Sequence, residues 1–563
     1  MRSQFQFTIK HQLITHVYLL FLLILFWRHL SFSNIGLLPG DALDSRYTTS
    51  LYEHWYLYFQ GKIGLTENYF FYPEKNSMAY SDAYLFQGIL HSFFRFAEIS
   101  LLNSWLIASV LTHAIGAYSS ILISRVLKFS LLPTLIFTTF WGFNSVIWVQ
   151  RGHLQNLAYP LIGYTIYFFL KFLYAKKPRM KQIYLSLSLN VSIVSALSAS
   201  YSFVFLTIYL LLGCLVFLVL SKQSKKEHIK MLIKQAFYSS KKYKMSLISC
   251  LPAIYLFLYI YVLSPTHLTT RSAFEAAYYS PTFSEIIEVP PNNYAFGKIT
   301  GKLFASALPG AGERYMGFTF SFLMLLVLTG FILYKKIGSK VPKNENHKII
   351  LTLFITVIVV EMLVLRDARG FNFWYLTGAQ LPFFNAIRGM SRIHQTQYMT
   401  GGLVIALILH NQIYYFRENF VRKTLKINKK LQKLSIGLLI LSLPLFEANS
   451  YYGTWKPKAM NPITIDEVEL ANCSAFALIL DDKQLATKPW YEYVIDSQIL
   501  ATNIQIPTIT GYSGGQPLNY VIDYSSEESL KLSILRYIKS KAIDGVCLLK
   551  KETNGQQWKI YQG

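Results

Sequence analysis

The chain has 563 residues, of which 53% are hydrophobic and only 15% charged. A soluble protein of this length carries more charge, and long apolar runs such as 203–220 and 349–365 match the ~18 or more residues that span a bilayer core. The net charge of +25 does not indicate nucleic acid as a partner, because the cations crowd short connections between apolar runs. Lys225, Lys226, Lys230, Lys234, Lys241, Lys242 and Lys244 share one connection. Lys176, Lys177, Arg179 and Lys181 share another, and further clusters follow residues 335 and 422. This is the positive-inside pattern, with membrane lipids as neighbours.

In chain order, a short basic stretch precedes an apolar run at 13–27. It is read as an uncleaved first span with a cytoplasmic N-terminus, because no small-residue cleavage site follows. Residues 31–103 are mixed in character and hold Asp41, Asp44, Glu53, Glu67, Glu74 and Asp82. Their acidity contrasts with the lysine-rich connections and places them as a large first outer loop. Within it, 46–60 and 84–96 are aromatic and amphipathic and are expected as helices lying in the membrane interface. Further spans are expected at 105–123, 131–149, 157–173, 184–201, 203–220, 247–263, 318–333, 349–365, 399–415 and 434–446. Lipid cannot satisfy an open backbone, so these are helices. The result is a polytopic α-helical membrane protein with about eleven transmembrane helices.

An odd number of spans leaves the C-terminus outside. The organisation is then a transmembrane domain over 1–447 and a small extracytoplasmic α/β domain over 448–563, with strands at 475–480 and 546–550 and a helix at 529–542. Cys473 and Cys547 both fall in that domain, where a disulfide is open to them. Cys214 and Cys250 lie in apolar runs and are read as packing residues.

Chemistry-bearing residues gather in the expected outer loops. Asp41 and Asp44 in the stretch Gly40-Asp41-Ala42-Leu43-Asp44-Ser45-Arg46 share a face if helical. Either carboxylate suits a general base or a cation ligand, and Asp41 equally suits a helix N-cap. Asn68-Tyr69-Phe70-Phe71-Tyr72-Pro73, followed by Ser81-Asp82, offers a stacking wall for a sugar or prenyl chain, or an interfacial belt. Arg151-Gly152-His153 sits at a span end. Arg151 suits a phosphate, and His153 suits a phosphate, a metal or a carboxylate. Arg388 and Arg392 stand outside against the charge rule, which makes a task such as gripping a lipid phosphate a better fit for them than for a lysine of a basic loop; snorkelling is the alternative.

The order of these motifs resembles the GT-C superfamily of integral-membrane glycosyltransferases. The resemblance rests on Gly40-Asp41 with Asp44 and Arg46, on Phe71-Tyr72-Pro73 with Ser81-Asp82, and on Gly152-His153-Leu154. It extends through Glu313, Tyr315 and Gly317, then Arg388 and Arg392, then Gly511-Tyr512-Ser513 and Gly545-Val546. It implies a polyprenyl-phosphate-linked sugar as donor and an outer-face site in a bacterial inner membrane. It implies Asp41 as the base, with Asp44 second, since the family's Asp-Glu pair is replaced here by Asp-Ala-Leu-Asp. Arg46, Tyr72, Asp82, Arg151, His153, Arg388 and Arg392 are the expected substrate and phosphate contacts. Asp41, Asp44 and His153 are the expected ligands of any divalent cation. The acceptor, a glycan, lipid or protein, is not legible. The competing classes are a transporter or flippase for lipid-linked glycans, and a non-catalytic assembly factor on the same scaffold. A transporter calls for ionisable residues in mid-span, whereas Glu361 and Lys171 lie near span ends.

Overall fold

A computed structural model describes residues 9–28, 38–40, 43–220, 243–263, 277–289, 293–303, 317–337, 345–367, 370–374, 389–419, 442–449, 454–456, 472–551 and 558–561. Seven of the described helices are long and apolar enough to cross a bilayer: Ile9–Phe26, Leu101–Val126, Leu131–Val149, Gln155–Tyr174, Ser200–Leu220, Lys244–Leu263 and His347–Val364. Phe320–Lys335 is a shorter apolar helix. The expected span at 184–201 falls in the serine-rich helix Pro178–Ser198, and that at 399–415 in Ile393–Asn419. Most of 434–446 lies outside the described residues.

The helices differ in what they touch, as their sequences require. Ser200–Leu220 is apolar all round and leaves Leu210, Leu211, Leu215 and Val219 more than half exposed, the composition of a hydrocarbon-facing surface. Leu131–Val149 is almost wholly covered by protein and breaks at Phe143. There Asn144 caps Ser145–Val149 by accepting from the Ile147 N–H at 3.2 Å. Leu101–Val126 buries Ser104, Ser109, Thr112, Gly116, Ala117, Ser119, Ser120 and Ser124. Small side chains let neighbouring backbones approach closely.

The helix Asp44–Phe59 departs from the expected interfacial placement. It buries Ser45, Arg46, Thr48, Thr49, Ser50, Glu53 and His54 along with its apolar residues. Protein covers it from Ser45 to Trp55 and supplies polar partners. Trp105 Nε1 donates to Thr48 Oγ1 at 3.0 Å, and Glu53 meets His91 at 2.7 Å and Arg95 at 3.1 Å. Leu85–Phe96 does present an apolar stripe, with Ile89, Phe93 and Phe96 exposed and Gln87 and His91 buried behind them.

In the C-terminal region, β3 (Ala475–Ile479) pairs in parallel with β4 (Val546–Lys551), which pairs antiparallel with β5 (Trp558–Tyr561). A parallel pair needs a long crossover, here carrying the helices Asp482–Thr487, Trp490–Ile504 and Glu527–Ser540. Cys473 and Cys547 form a disulfide at the start of β3 and β4. A short antiparallel pair, β1 (Leu38–Pro39) with β2 (Thr454–Trp455), ties the first loop to the chain entering this region.

The expected boundary at 447/448 separates segments that share one core. Phe70, Phe71 and Tyr80 from the first loop pack in a single buried cluster with Phe476, Ile479, Ile495, Ile499, Leu530 and Leu549. The backbone continues the junction. The Tyr72 N–H donates to Thr508 O at 3.1 Å, and the Thr508 N–H donates to Tyr69 O at 2.9 Å. Residues 507 and 509 in turn bond Phe476 of β3.

Candidate functional site

The junction of the first loop, the C-terminal region and the turn at 150–154 gathers the charged residues. Asp44 opens its helix, and its carboxylate stays partly exposed, at 28% of the side chain. One carboxylate oxygen lies 3.1 Å from His153 Nδ1, and the other accepts from the Tyr512 hydroxyl at 3.2 Å. His153 is positioned by a tight turn, its N–H donating to Gln150 O at 2.9 Å. Gly40 lets the first loop reach this turn. It has φ +96°, and a Cβ there would stand 2.9 Å from the Gly152 Cα. A side chain fits neither that backbone conformation nor that gap. Asp41 follows immediately but lies outside the described residues, as does Arg388.

Buried tyrosines stand beside Asp44. The Tyr47 hydroxyl donates to Ser513 Oγ at 2.8 Å, its ring meets Tyr512 edge-on, and Ser513 Oγ donates to Tyr80 O at 2.9 Å. Burial pushes the Tyr47 hydroxyl up to about 12, with the nearby charges of Asp44 and Asp82 adding to the rise. Tyr84 is pushed well above the usual range, first by burial and then by Asp82, its tyrosine neighbours and Asp44. Its hydroxyl donates to Gln155 Oε1 at 2.6 Å.

Asp82 accepts from the Ser200 N–H at 2.8 Å. Burial raises its carboxyl above the ordinary range, against the Ser200 hydrogen bonds and the charge of Arg392, which hold it down. Arg392 is buried in the turn Met390–Arg392, its guanidinium 5.1 Å from the Tyr201 ring centroid. Asp44 with His153, and Asp82 with Arg392 close enough to influence its charge, form two charged groups on either side of these tyrosines.

The other expected contacts are placed differently. Arg46 is buried and ion-paired to Asp496 of the Trp490–Ile504 helix. That pairing joins the first loop to the C-terminal region and takes Arg46 out of the open site. Burial raises the Asp496 carboxyl, and Arg46 opposes the rise. Arg151 is buried with its guanidinium 5.9 Å from the Phe26 and Trp148 rings, donating to Phe26 O at 3.5 Å. Tyr72 precedes a cis proline and packs partly buried against the shared core. Among the described residues no three His, Cys, Asp or Glu side chains gather as a metal site. Asp44 and His153 are two donors of a suitable kind.

Sequence reasoning passed over Tyr47, Tyr84, Tyr201 and Asp496 as site residues, and noted Tyr512 only within a motif. Asp496 had a readable signal, since it stands among the apolar Val494, Ile495, Ile499 and Leu500, and a carboxylate buried with them needs a cation. The tyrosines were indistinguishable from the many others in the chain.

Neither a protein-family model nor a curated protein sequence matches this chain. Solved structures do. The chain is similar to the Archaeoglobus fulgidus oligosaccharyltransferase tethered to an acceptor peptide, with TM-score 0.53 and 11% identity, covering 97% of this chain and 70% of that one. The apo form of the same protein gives TM-score 0.51 and 12% identity, over 96% and 69%. ArnT from Cupriavidus metallidurans gives TM-score 0.40 and 10% identity, over 96% and 92%. At such identities the likeness to the oligosaccharyltransferase is one of fold.

Proposed function

We propose that this chain is a membrane glycosyltransferase that moves a sugar from a polyprenyl-phosphate donor to an acceptor hydroxyl at the outer face of a bacterial inner membrane. The observation that carries this reading is the partly exposed Asp44 carboxylate, held by His153 and Tyr512 where the first loop meets the C-terminal region. The shared fold with an oligosaccharyltransferase supports it. So does the charge pattern of the sequence, whose lysine clusters fall in connections expected on the face opposite Asp44.

The transfer is inverting. The acceptor oxygen attacks the anomeric carbon as the bond to the phosphate oxygen breaks, and the phosphate leaves with the electron pair. The hydroxyl proton passes to the carboxylate of Asp41 or Asp44. Asp44 is already aimed by two hydrogen-bonding neighbours, and Asp41 lies three residues upstream in sequence. Arg392, with Arg388 and Arg151 as further cations, neutralises the charge developing on the phosphate. A divalent cation, where bound, would be held by Asp41, Asp44 and His153 and would share that neutralisation. Confinement of the donor's lipid tail to the membrane supplies proximity.

The test compares Asp41→Asn and Asp44→Asn in a deletion strain, measuring surface glycan and lipid-linked sugar alongside protein level. Each replacement of an essential carboxylate is expected to lower transfer ~100-fold or more at unchanged abundance, with the lipid-linked donor accumulating. Full transfer in both variants would overturn the reading.

A further inference from the structure

Two helices run side by side away from the proposed reaction centre. Asp44–Phe59 and Trp490–Ile504 are joined by Arg46 in the first turn of one and Asp496 in the middle of the other, and reach a common cavity at their ends. The cavity has a volume of about 340 Å³, within the ~300–1,000 Å³ range of small-ligand sites. It is lined by Gln60 and Lys62 after the first helix, Asn503 and Gln505 at the end of the second, and Tyr56 and Arg95 between them. Residues 44 and 59 are one helix apart, roughly 22 Å at the helical rise of 1.5 Å per residue, so the cavity is separate from the Asp44 site.

Its chemistry is specific in kind. Glu53 balances the Arg95 guanidinium through contacts of 3.1–3.2 Å, and the guanidinium also lies 4.9 Å from the Tyr56 ring centroid. Lys62 is then the only lining cation without a lining carboxylate beside it. The three amides of Gln60, Asn503 and Gln505 each donate and accept. Hydroxyl groups do both, whereas a phosphate only accepts and a lipid tail does neither. The amides are exposed at the rim while Glu53 and Arg95 form a fixed floor.

We infer that this cavity is a carbohydrate subsite that holds a remote part of an acceptor glycan while the glycan's end is presented to Asp44. The inference rests on the proposed transferase reading and narrows its acceptor to a glycan of several sugars. The helix pair acts as a spacer, since one element carries the reacting carboxylate at one end and the subsite at the other. Short acceptors reach only the Asp44 end, and long ones reach both.

The experiment uses the purified full-length chain in lipid nanodiscs. The probes are oligosaccharides of two to eight sugars, released by mild acid from the surface glycan of the source cell, and binding is read by titration calorimetry. The longer fragments are expected to bind at least tenfold more tightly than disaccharides. The exposed pair Asn503→Ala with Gln505→Ala, and separately Lys62→Ala, is expected to remove that advantage. Asp44→Asn is expected to keep it, which separates this inference from the transferase reading tested by activity. Equal binding of all lengths, no binding by the wild-type chain, or an unchanged length advantage in the Asn503/Gln505 variant would each overturn the subsite. A Lys62→Ala variant that loses only its binding to phosphatidylglycerol vesicles would overturn it in favour of a lipid headgroup.

Discussion

At the residue scale, the pairing of Arg46 with Asp496 illustrates how a charge can be structural in a site full of charges. Both groups are buried, so removing one strands the other away from water. Arg46→Ala is expected to cost ~3–5 kcal/mol of stability, and Arg46→Met combined with Asp496→Leu much less, as read from thermal midpoints of the purified protein. Equal losses in both would remove the stranded charge as the cause. Asp82 carries a pH dependence with a definite sign. Its folded carboxyl is raised, so the native state holds the proton more tightly than the unfolded chain does. Its protonated form contributes stability that is fully present below the ordinary carboxylate value of ~3.9 and is lost as pH rises through the raised value. Asp82→Asn is expected to flatten stability against pH across that window, measured by denaturation at a series of pH values. A curve parallel to wild type would contradict it.

At the element scale, the segment 69–72 behaves as an added edge for the strand-like stretch 507–509. Gly511 makes the close approach possible, since a Cβ there would stand 2.4 Å from the Phe71 ring. Gly511→Ala is expected to cost ~1–3 kcal/mol by overpacking and to loosen Tyr512 against Asp44, so limited proteolysis of the C-terminal region should accelerate together with a loss of transfer. Unchanged proteolysis would show that Phe71 yields without cost. The amphipathic stretches at 46–60 and 84–96 were both legible as helices. Their surroundings were not, because a hydrophobic stripe looks the same whether it meets lipid or protein. Only Leu85–Phe96 keeps its stripe exposed, while Asp44–Phe59 is enclosed from Ser45 to Trp55.

At the scale of the whole molecule, the C-terminal region is part of the site rather than an appendage. Tyr512 touches Asp44, and Ser513 touches Tyr47 and Tyr80. The proposed orientation then has a direct check. Single cysteines replacing Lys62 and Lys226, in a chain lacking Cys214 and Cys250, are expected to react with an impermeant maleimide from opposite faces of the membrane. Labelling of both from one face would invalidate the orientation.

Composition and apolar run length alone determined that the chain belongs in a membrane and where most of its helices run, because the bilayer imposes one length and one backbone solution on every span. The motif order carried the fold resemblance, and the charge pattern placed Asp44, Asp82, His153 and Arg392 among the candidates. Only the tertiary structure decided that Arg46 faces Asp496, that Tyr512 reaches Asp44, and that one core joins residues 400 positions apart. Those choices follow from how the segments pack, and local sequence holds no record of which buried charge or ring a distant helix will supply.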